Sequence, residues 1–329
     1  MTAIRTGIIG GAGYTGGELI RLLINHPRAE IVFVHSKSNA GKKLNEVHRD
    51  LVGETDMAFS VGFKAPVDVL FLCVGQGEAK SFLSENHIRE NTRIIDLSQD
   101  FRLEQGSVLG KRHFVYGLPE INKKAIKGAR NVANPGCFAT AIQLGLLPLA
   151  RAGLLTETYT TGITGSTGAG QGLSETSHFS WRENNVQAYK TLSHQHLKEI
   201  GQSLKQVAAD GHRIEHPINF VPWRGDFTRG IFVSSTLHCE RPLPELVELF
   251  EKFYAGHPFT LVNQEAIFLK QVVNTNKCII QLEKAGTKLV IHSAIDNLLK
   301  GASGQAMQNM NLMFGVQEKT GLKLKANYF

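Results

Sequence analysis

The residue best placed for covalent chemistry is Cys137, which follows Asn134, Pro135 and Gly136 and precedes an apolar segment of helical periodicity. Pro135 and Gly136 favour a tight turn, so the pattern predicts a helix that starts at or near the thiol. Backbone N–H groups and the helix dipole favour an anion there, and the thiolate is the form that attacks a carbonyl carbon. The placement suits a catalytic nucleophile, and a buried structural cysteine is the alternative.

Two histidines are candidates for proton transfer. His194 and His196 lie at the start of a second predicted helix, around residues 196–209. Side chains two positions apart point in different directions on a helix, so at most one of them should face a thiol. His196 is favoured and His194 comes second, while a pair of surface histidines is the alternative. No metal site is predicted, because no third ligand lies at metal-like spacing.

A glycine-rich run connects the first predicted strand to the first predicted helix. Two overlapping patterns fit it, G-x-G-x-x-G and G-x-x-G-x-x-G, and in both the backbone can approach a pyrophosphate on the helix N-terminus. A glycine-rich turn without a ligand is the alternative. The residues expected to bind a dinucleotide here are Gly10, Gly11, Gly13, Tyr14, Thr15 and Gly16.

The residues at the end of the second predicted strand distinguish an NADP site from an NAD site. An NAD site would place a carboxylate there for the ribose, whereas this chain has His35, Ser36, Lys37 and Ser38. Hydroxyl groups and a cation suit a 2′-phosphate, so NADP(H) is the predicted cofactor and Ser36 and Lys37 are its predicted ligands. A solvated loop is the alternative for both residues.

A nucleotide site together with a helix-start thiol predicts that an aldehyde-level carbon is held on sulfur while hydride moves.

Anionic parts of a substrate have two candidate partners. Arg102 follows the fourth predicted strand and can fork onto a carboxylate or phosphate, or else pair with Asp100 or Glu104. A glycine-rich loop over residues 165–172 contains Ser166 and Gly168; its backbone N–H groups are expected to form an anion nest, unless it is a hinge.

The elements that must position these residues divide into two domains. Apolar runs alternating with helices predict an α/β fold with an N-terminal Rossmann-type parallel sheet. After Cys137, short strands and two helices predict an α+β domain with a mixed or antiparallel sheet. We expect residues 1–137 plus 297–329 to form the NADP-binding domain and residues 138–296 to form the catalytic domain.

Composition limits the partners. The 329 residues are 42% hydrophobic and 20% charged, with a net charge of +7 spread along the chain, so a nucleic-acid groove is not expected. No stretch approaches the ~20 apolar residues of a membrane span, and no leader precedes the first strand, so no membrane partner and a cytoplasmic location are expected. The four cysteines lie far apart, which argues against a disulfide framework.

Taken together, these segments resemble the N-acetyl-gamma-glutamyl-phosphate reductase family of arginine biosynthesis, over nearly the whole chain. The segments that carry the resemblance are Gly10–Gly16, Asp96–Arg102, Tyr116–Glu120, Asn134–Cys137, Gly165–Gly170, His194–His196, Thr228–Gly230 and Asp296–Gln305.

The resemblance implies an oxidoreductase that uses NADPH to reduce N-acetyl-γ-glutamyl phosphate to N-acetylglutamate 5-semialdehyde plus phosphate through a thioester. It implies that Cys137 is the nucleophile, that one of the two histidines is the acid/base, and that Asn297 lies near the nicotinamide. Asn134 or the Cys137 N–H is expected at the oxyanion, and Arg229 is expected to bind substrate. The family also implies a homodimer or homotetramer built through the second domain.

One segment departs from the family. A Pro-His is expected ahead of the Thr-Arg-Gly turn, but this chain has Pro222, Trp223 and Arg224. Arg224 therefore suggests an acidic acyl group, such as succinyl, in place of acetyl. Two further alternatives are an aspartate-semialdehyde dehydrogenase-like activity, whose cysteine motif differs, and a non-catalytic NADP-sensing protein.

Overall fold

The computed structural model describes residues 2–63, 65–208, 214 and 217–329. It divides the chain into two compact units: the first comprises Met1–Pro135 with Ala302–Lys323, and the second Gly136–Gly301 with Leu324–Phe329. The C-terminal tail joins the second unit because the Asn327 N–H donates to the Val273 carbonyl at 3.1 Å. The predicted functional boundaries, 1–137 with 297–329 and 138–296, stay a prediction.

The helices of the described residues are α1 (Tyr14–Ile24), α2 (Leu44–Val47), α3 (Glu78–Glu85), α4 (Pro119–Gly128), α5 (Cys137–Arg151), α6 (Phe179–Arg182), α7 (His196–Val207), α8 (Leu243–Tyr254) and α9 (Gly304–Met313). The strands are β1 (Ile4–Ile9), β2 (Ala29–His35), β3 (Val69–Leu72), β4 (Arg93–Asp96), β5 (Val108–Leu109), β6 (Arg112–Tyr116), β7 (Asn131–Ala133), β8 (Thr158–Thr164), β9 (Gln187–Ala188), β10 (Ile218–Arg224), β11 (Ile231–His238), β12 (Thr260–Asn263), β13 (Cys278–Ala285) and β14 (Lys288–Ile295).

The first unit is built on a sheet of seven described strands in the order β2-β1-β3-β4-β7-β6-β5. All neighbours are parallel except β5 and β6. Every residue of β3 is buried, as a parallel strand covered on both faces requires. The predicted Rossmann-type sheet is confirmed; strands β5, β6 and β7 were not predicted, since they are short and carry polar residues such as Arg112 and Asn131.

The second unit holds a mixed sheet of seven described strands in the order β12-β13-β14-β11-β8-β10-β9. The pairs β8–β10 and β12–β13 are parallel and the others antiparallel, which confirms the mixed sheet of the predicted α+β domain. Strands β9, β10 and β12 were not predicted. Helix α7 begins at His196 as predicted; the predicted end, residue 209, lies outside the described residues.

The segment that follows Asp296 has two helical parts. A π-helical turn spans Leu299–Ser303 and α9 follows it. The turn is wide because the Gly301 N–H donates to the Asp296 carbonyl, five residues back, at 2.9 Å. None of the helices in the described residues is both long and apolar enough to span a membrane.

Candidate active site

Cys137 is the first residue of α5, and Gly136 is its N-cap with extended backbone angles. The predicted helix start is therefore confirmed. The thiol is half-buried, while the rest of α5 is buried up to Ala150. The N–H groups of the first turn have no carbonyl within the helix to bond, so the backbone at Cys137 presents donors to an anion.

The π-helical turn packs closely against Cys137 at Gly301. A Cβ atom placed on Gly301 would lie 2.8 Å from the Cβ of Cys137, closer than two such carbons approach. Only glycine fits at position 301 without displacing the cysteine.

A buried carboxylate links the cysteine turn to the histidine helix. Glu199 on α7 accepts the N–H of Gly136 through Oε2 at 3.0 Å, and its Oε1 lies 3.9 Å from Nε2 of His196. Both side chains are buried. Sequence reasoning missed Glu199; its signal is a carboxylate three residues after His196, on the same face of a helix whose other buried positions are mostly apolar.

His194 lies in an aromatic box. Its ring centroid is 5.7 Å from that of Phe138, 5.9 Å from Tyr189 and 5.6 Å from Phe220. Burial, and then the charge of Lys190, lowers the pKa of His194 to about 4, so the imidazole is neutral at pH 7. Its Nδ1 accepts the N–H of His196 at 3.2 Å, which places the ring proton on Nε2.

Tyr189 connects this box to Arg224. The Cζ of Arg224 lies 4.8 Å from the Tyr189 ring centroid, a cation–π contact. Burial, followed by the nearby charge of Cys137, raises the pKa of Tyr189 to about 12, so its phenol keeps its proton. Arg224 therefore contacts Tyr189, which is one of the rings of the aromatic box around His194.

In the second glycine-rich loop, five backbone N–H groups have carbonyl acceptors within the second unit. Its N–H groups donate to main-chain carbonyls: Gly165 to Gly230, Ser166 to Phe227 and Thr167 to Thr228, at 2.8–3.1 Å. Gly168 and Gly170 donate within the loop. These five donors hold the loop in place, and anion binding by Ser166 and Gly168 stays a prediction.

Asn297 and Arg229 are held by bonds within the second unit. Asn297 accepts the Gly230 N–H at 2.7 Å and donates to Oγ1 of Thr167 at 3.0 Å. Arg229 forms an ion pair with buried Asp296 at 3.0 Å. Contact with nicotinamide or substrate stays a prediction for these two residues; their observed bonds fix the loop and the turn.

The first unit contains a cavity of about 530 Å³ at the carboxyl ends of its strands, lined on one side by Gly10, Gly13, Ser36 and Lys37. Gly10 has φ +79°, and a Cβ on Gly16 would lie 2.6 Å from the Gly11 Cα, so the loop needs its glycines. A Cβ on Gly13, the N-cap of α1, would meet only a carbonyl oxygen 3.9 Å away. This open helix start fits a pyrophosphate.

The cavity has features that the sequence did not reveal. Glu78 and Glu85 of α3 line it, and Glu78 accepts the Gly75 N–H at 2.7 Å. His48 donates from Nε2 to the Gly11 carbonyl at 2.8 Å and so fixes the glycine loop. These contacts come from elements remote in sequence.

The remaining predicted ligands of the first unit have internal partners. The Thr15 carbonyl accepts the Ser303 hydroxyl at 2.8 Å, and Tyr14 is partly exposed. The Arg102 guanidinium donates to the carbonyls of Asn134 and Leu97, both at 2.9 Å. Binding of a substrate carboxylate or phosphate by Arg102 stays a prediction.

The Asn134 amide is likewise engaged inside the first unit. It donates to the Ala302 carbonyl at 3.0 Å and accepts from Asn309 at 3.1 Å. Within the described ranges, no group of three or more His, Cys, Asp or Glu side chains is arranged to hold a metal ion.

Comparisons with known families match both units. The family model described as "Semialdehyde dehydrogenase, NAD binding domain" matches residues 5–129, and "Semialdehyde dehydrogenase, dimerisation domain" matches residues 137–297. A relative from Christiangramia forsetii, named N-acetyl-gamma-glutamyl-phosphate reductase, is 54% identical over 99% of this chain and 100% of its own. A relative of the same name from Bacteroides thetaiotaomicron is 53% identical with the same coverage.

Solved structures share the fold. Aspartate semialdehyde dehydrogenase II of Vibrio cholerae, complexed with ASA, has a TM-score of 0.73 and 15% identity over 96% of this chain and 99% of its own. The enzyme of Candida albicans, solved with NADP, has a TM-score of 0.66 and 14% identity over 95% of this chain and 99% of its own. At these identities the likeness concerns the fold alone.

Proposed function

Because the chain belongs to the N-acetyl-gamma-glutamyl-phosphate reductase family, we propose that it reduces an N-acyl-γ-glutamyl phosphate, N-acetyl in its named relatives, to the 5-semialdehyde and phosphate. The predicted family and the oxidoreductase class are confirmed by full-length relatives at 53–54% identity. The matched nucleotide-binding model and these relatives also support NADP(H) as the cofactor.

The observation that carries the proposed chemistry is the placement of Cys137 at the start of α5, beside a turn held by Glu199. The Cys137 thiolate attacks the acyl-phosphate carbonyl carbon, the carbon–oxygen bond to phosphate breaks, and a thioester forms as phosphate leaves. Helix-start N–H groups stabilise both the thiolate and the oxyanion that forms during attack. The Asn134 amide is the weaker oxyanion candidate, because its observed bonds lie within the first unit.

The cofactor, when bound, supplies the hydride that reduces the thioester carbon. The cavity beside Gly13 fits its pyrophosphate, and Ser36 and Lys37 would hold the 2′-phosphate at the end of β2. The loop at Gly10–Gly16 orients the nucleotide through its backbone, which His48 fixes from the other side.

His196 transfers the proton. Its imidazolium is stabilised by the Glu199 carboxylate 3.9 Å away, whereas His194 is kept neutral by burial. His196 protonates the oxyanion formed on reduction and removes that proton again as the carbon–sulfur bond breaks, which releases the aldehyde and restores the thiolate. Of the two histidines predicted, His196 is therefore the proposed acid/base.

The test is phosphate-dependent NADP⁺ reduction by the purified protein with N-acetylglutamate semialdehyde. We expect turnover in the wild type and a loss of at least ~10³-fold in Cys137→Ser, with NADPH binding retained, since serine is a far weaker nucleophile. Wild-type NADPH binding without turnover would reject the reductase and favour the NADP-sensing protein. Turnover with aspartate semialdehyde only would favour the dehydrogenase alternative.

We place the subunit contacts on the second unit, whose residues match the dimerisation model. Helices α5, α7 and α8 pack against its sheet, while alternate residues of β11, such as Phe232, Ser234 and Thr236, are only half-buried. Such a partly apolar sheet face suits a second copy of the chain, as a homodimer or homotetramer. The cytoplasmic location stays a prediction.

A further inference from the structure

Two arginines of the second unit, Arg182 and Arg224, have no assigned part in the chemistry above; we refer to them as the arginine pair. Arg182 ends α6 and donates from Nη1 to the Arg224 carbonyl at 3.4 Å, so the two residues are neighbours. Burial, and then the charge of Arg224, lowers the pKa of Arg182. The two guanidinium groups are therefore close enough for their positive charges to repel each other, beside the aromatic box around His194.

The charge of the arginine pair is only partly compensated. Asp226 lies near Arg182, and its carboxylate also accepts the Asn184 N–H at 2.7 Å. Among the residues that the structure describes, no hydrogen-bond acceptor meets the buried Nε of Arg182 or that of Arg224. A buried guanidinium donor without an acceptor is costly, and a carboxylate is the group whose two oxygens match it best.

A series of ring contacts connects Arg224 to the segment that carries the thiol. Arg224 stacks on Tyr189, Tyr189 contacts His194, and His194 contacts Phe138, the residue after Cys137. Tyr189 is also held by its N–H, which donates to the Pro222 carbonyl at 3.1 Å. Arg224 is therefore connected, through the rings of Tyr189 and His194, to the residue next to the thiol. A part of the substrate other than its reacting carbon would lie on this side.

The geometry points to a carboxylate subsite: the arginine pair, with Arg224 on the face of Tyr189, binds a substrate carboxylate remote from the thioester carbon. This inference rests on the proposed function. Two carboxylates have the right chemistry, namely the α-carboxylate of the glutamyl moiety and a terminal carboxylate on the acyl group, as in N-succinyl.

The experiment compares N-acetyl- and N-succinylglutamate semialdehyde, and the α-amide of the former, as substrates of the wild type, Arg224→Gln and Arg182→Gln. We expect Arg224→Gln to raise KM about 10- to 100-fold with a smaller change in kcat, since a charge-assisted bond is lost in ground state and transition state alike. Arg241→Gln is the matched control, because it removes an arginine from an exposed pair on Glu245.

The pattern across substrates identifies the carboxylate. A KM increase confined to the N-succinyl compound assigns the subsite to the acyl group. An equal increase for both semialdehydes, with the α-amide already poor in the wild type, assigns it to the α-carboxylate. KM values within about twofold of the wild type for all substrates in both arginine variants would overturn the subsite.

A binding measurement separates this inference from the proposed reaction. Calorimetry with N-succinylglutamate and N-acetylglutamate reports the subsite without turnover. Arg224-dependent binding in a protein that turns over neither semialdehyde would reject the reductase and keep the subsite. Cys137-dependent turnover with unaltered binding and KM in Arg224→Gln would keep the reductase and reject the subsite.

Discussion

The Glu199 carboxylate bonds the backbone N–H that precedes the thiol and faces the imidazole proposed to move the proton. Glutamine at this position retains an oxygen for the Gly136 N–H but loses the negative charge. We expect Glu199→Gln to lower kcat about 10- to 100-fold, with KM little changed, because the His196 imidazolium loses its stabilising partner. The pH at which the acid/base titrates in the kcat profile should also fall.

Glu248→Gln is the control for Glu199→Gln, since Glu248 is exposed on α8. If Glu199→Gln kept the wild-type kcat and pH profile, Glu199 would have a purely structural role in holding Gly136.

The lowered pKa of His194 predicts how the free energy of unfolding depends on pH. Its pKa is about 4 in the folded protein against 6.5 for the ordinary side chain, so the unfolded chain binds the proton more readily. The contribution of His194 to the free energy of unfolding is full above pH 6.5 and is lost as the pH falls from 6.5 towards 4. The loss amounts to about 3 kcal/mol at ~1.4 kcal/mol per pKa unit.

Thermal unfolding of the wild type and His194→Phe at about pH 7.5 and about pH 5 measures this effect. Phenylalanine suits the aromatic box but cannot titrate, so we expect the drop in Tm between the two pH values to be smaller in the variant. An equal drop in both proteins would show that other groups dominate.

At the scale of elements, the π-helical turn sets the space available to the thiol. A methyl group at position 301 would collide with Cys137, whose neighbours in α5 are buried and cannot yield. We expect Gly301→Ala to lower kcat by ~10-fold or more and to change the rate at which the Cys137 thiol is alkylated, because a displacement of ~1 Å is enough to impair catalysis.

Gly201→Ala is a suitable control for Gly301→Ala. A Cβ on Gly201 of α7 meets no atom within 4 Å, and alanine favours a helix by about 1 kcal/mol over glycine. Normal activity in Gly301→Ala would mean that the turn yields, and that its width has no bearing on the thiol.

A second element-scale prediction concerns Asp296, which precedes that turn. Its buried carboxylate accepts the N–H groups of Asn274, Leu298 and Leu299 and pairs with Arg229. Asp296→Asn removes the negative charge that faces Arg229 and replaces one acceptor oxygen by a donor. We expect it to destabilise the protein by about 3 kcal/mol or more, measured as a lower Tm.

Asp56→Asn controls for the loss of a carboxylate, because Asp56 forms an exposed pair with Lys43 and should change Tm little. An Asp296→Asn protein with the wild-type Tm would contradict the assigned role of this carboxylate.

The predictable features of the site are those encoded locally. The Pro135–Gly136 turn and the apolar run after Cys137 lie within one short segment, so the helix start could be read from sequence. Glu199 could not, because the N–H that it accepts is 63 residues away. The packing of the loop at residues 165–170 could not be predicted for the same reason: three of its N–H groups bond carbonyls of residues 227–230, which no local pattern reveals.

At the scale of the whole molecule, the order of elements in the sequence predicted the class of fold. It did not predict how many strands each sheet contains. Continuous apolar runs such as Val69–Leu72 identify a parallel strand, whereas Asn131–Ala133 and Gln187–Ala188 are too short to show any periodicity. The tail at 324–329 joins the second unit through a backbone bond, from Asn327 to Val273, that its sequence does not indicate.

The proposed subunit contacts predict a mass in solution of two or four times 36.2 kDa. Sedimentation of the purified chain tests this over a range of concentrations. Charged residues at Phe232 and Thr236, on the half-buried side of β11, should shift the assembly towards the monomer because they make the sheet face costly to bury. A wild-type monomer at all concentrations would contradict the proposed contacts.

The four thiols differ enough to be told apart by a reagent. Cys239 and Cys278 are buried. Cys73 and Cys137 are both partly exposed, but desolvation raises the pKa of the Cys73 thiol to about 12, whereas Cys137 lies at the start of α5. A haloacetamide dye at neutral pH should therefore attach once per chain, at Cys137. The ratio of dye to protein would then count the intact sites in any preparation, so that rates can be stated per functional thiol instead of per milligram.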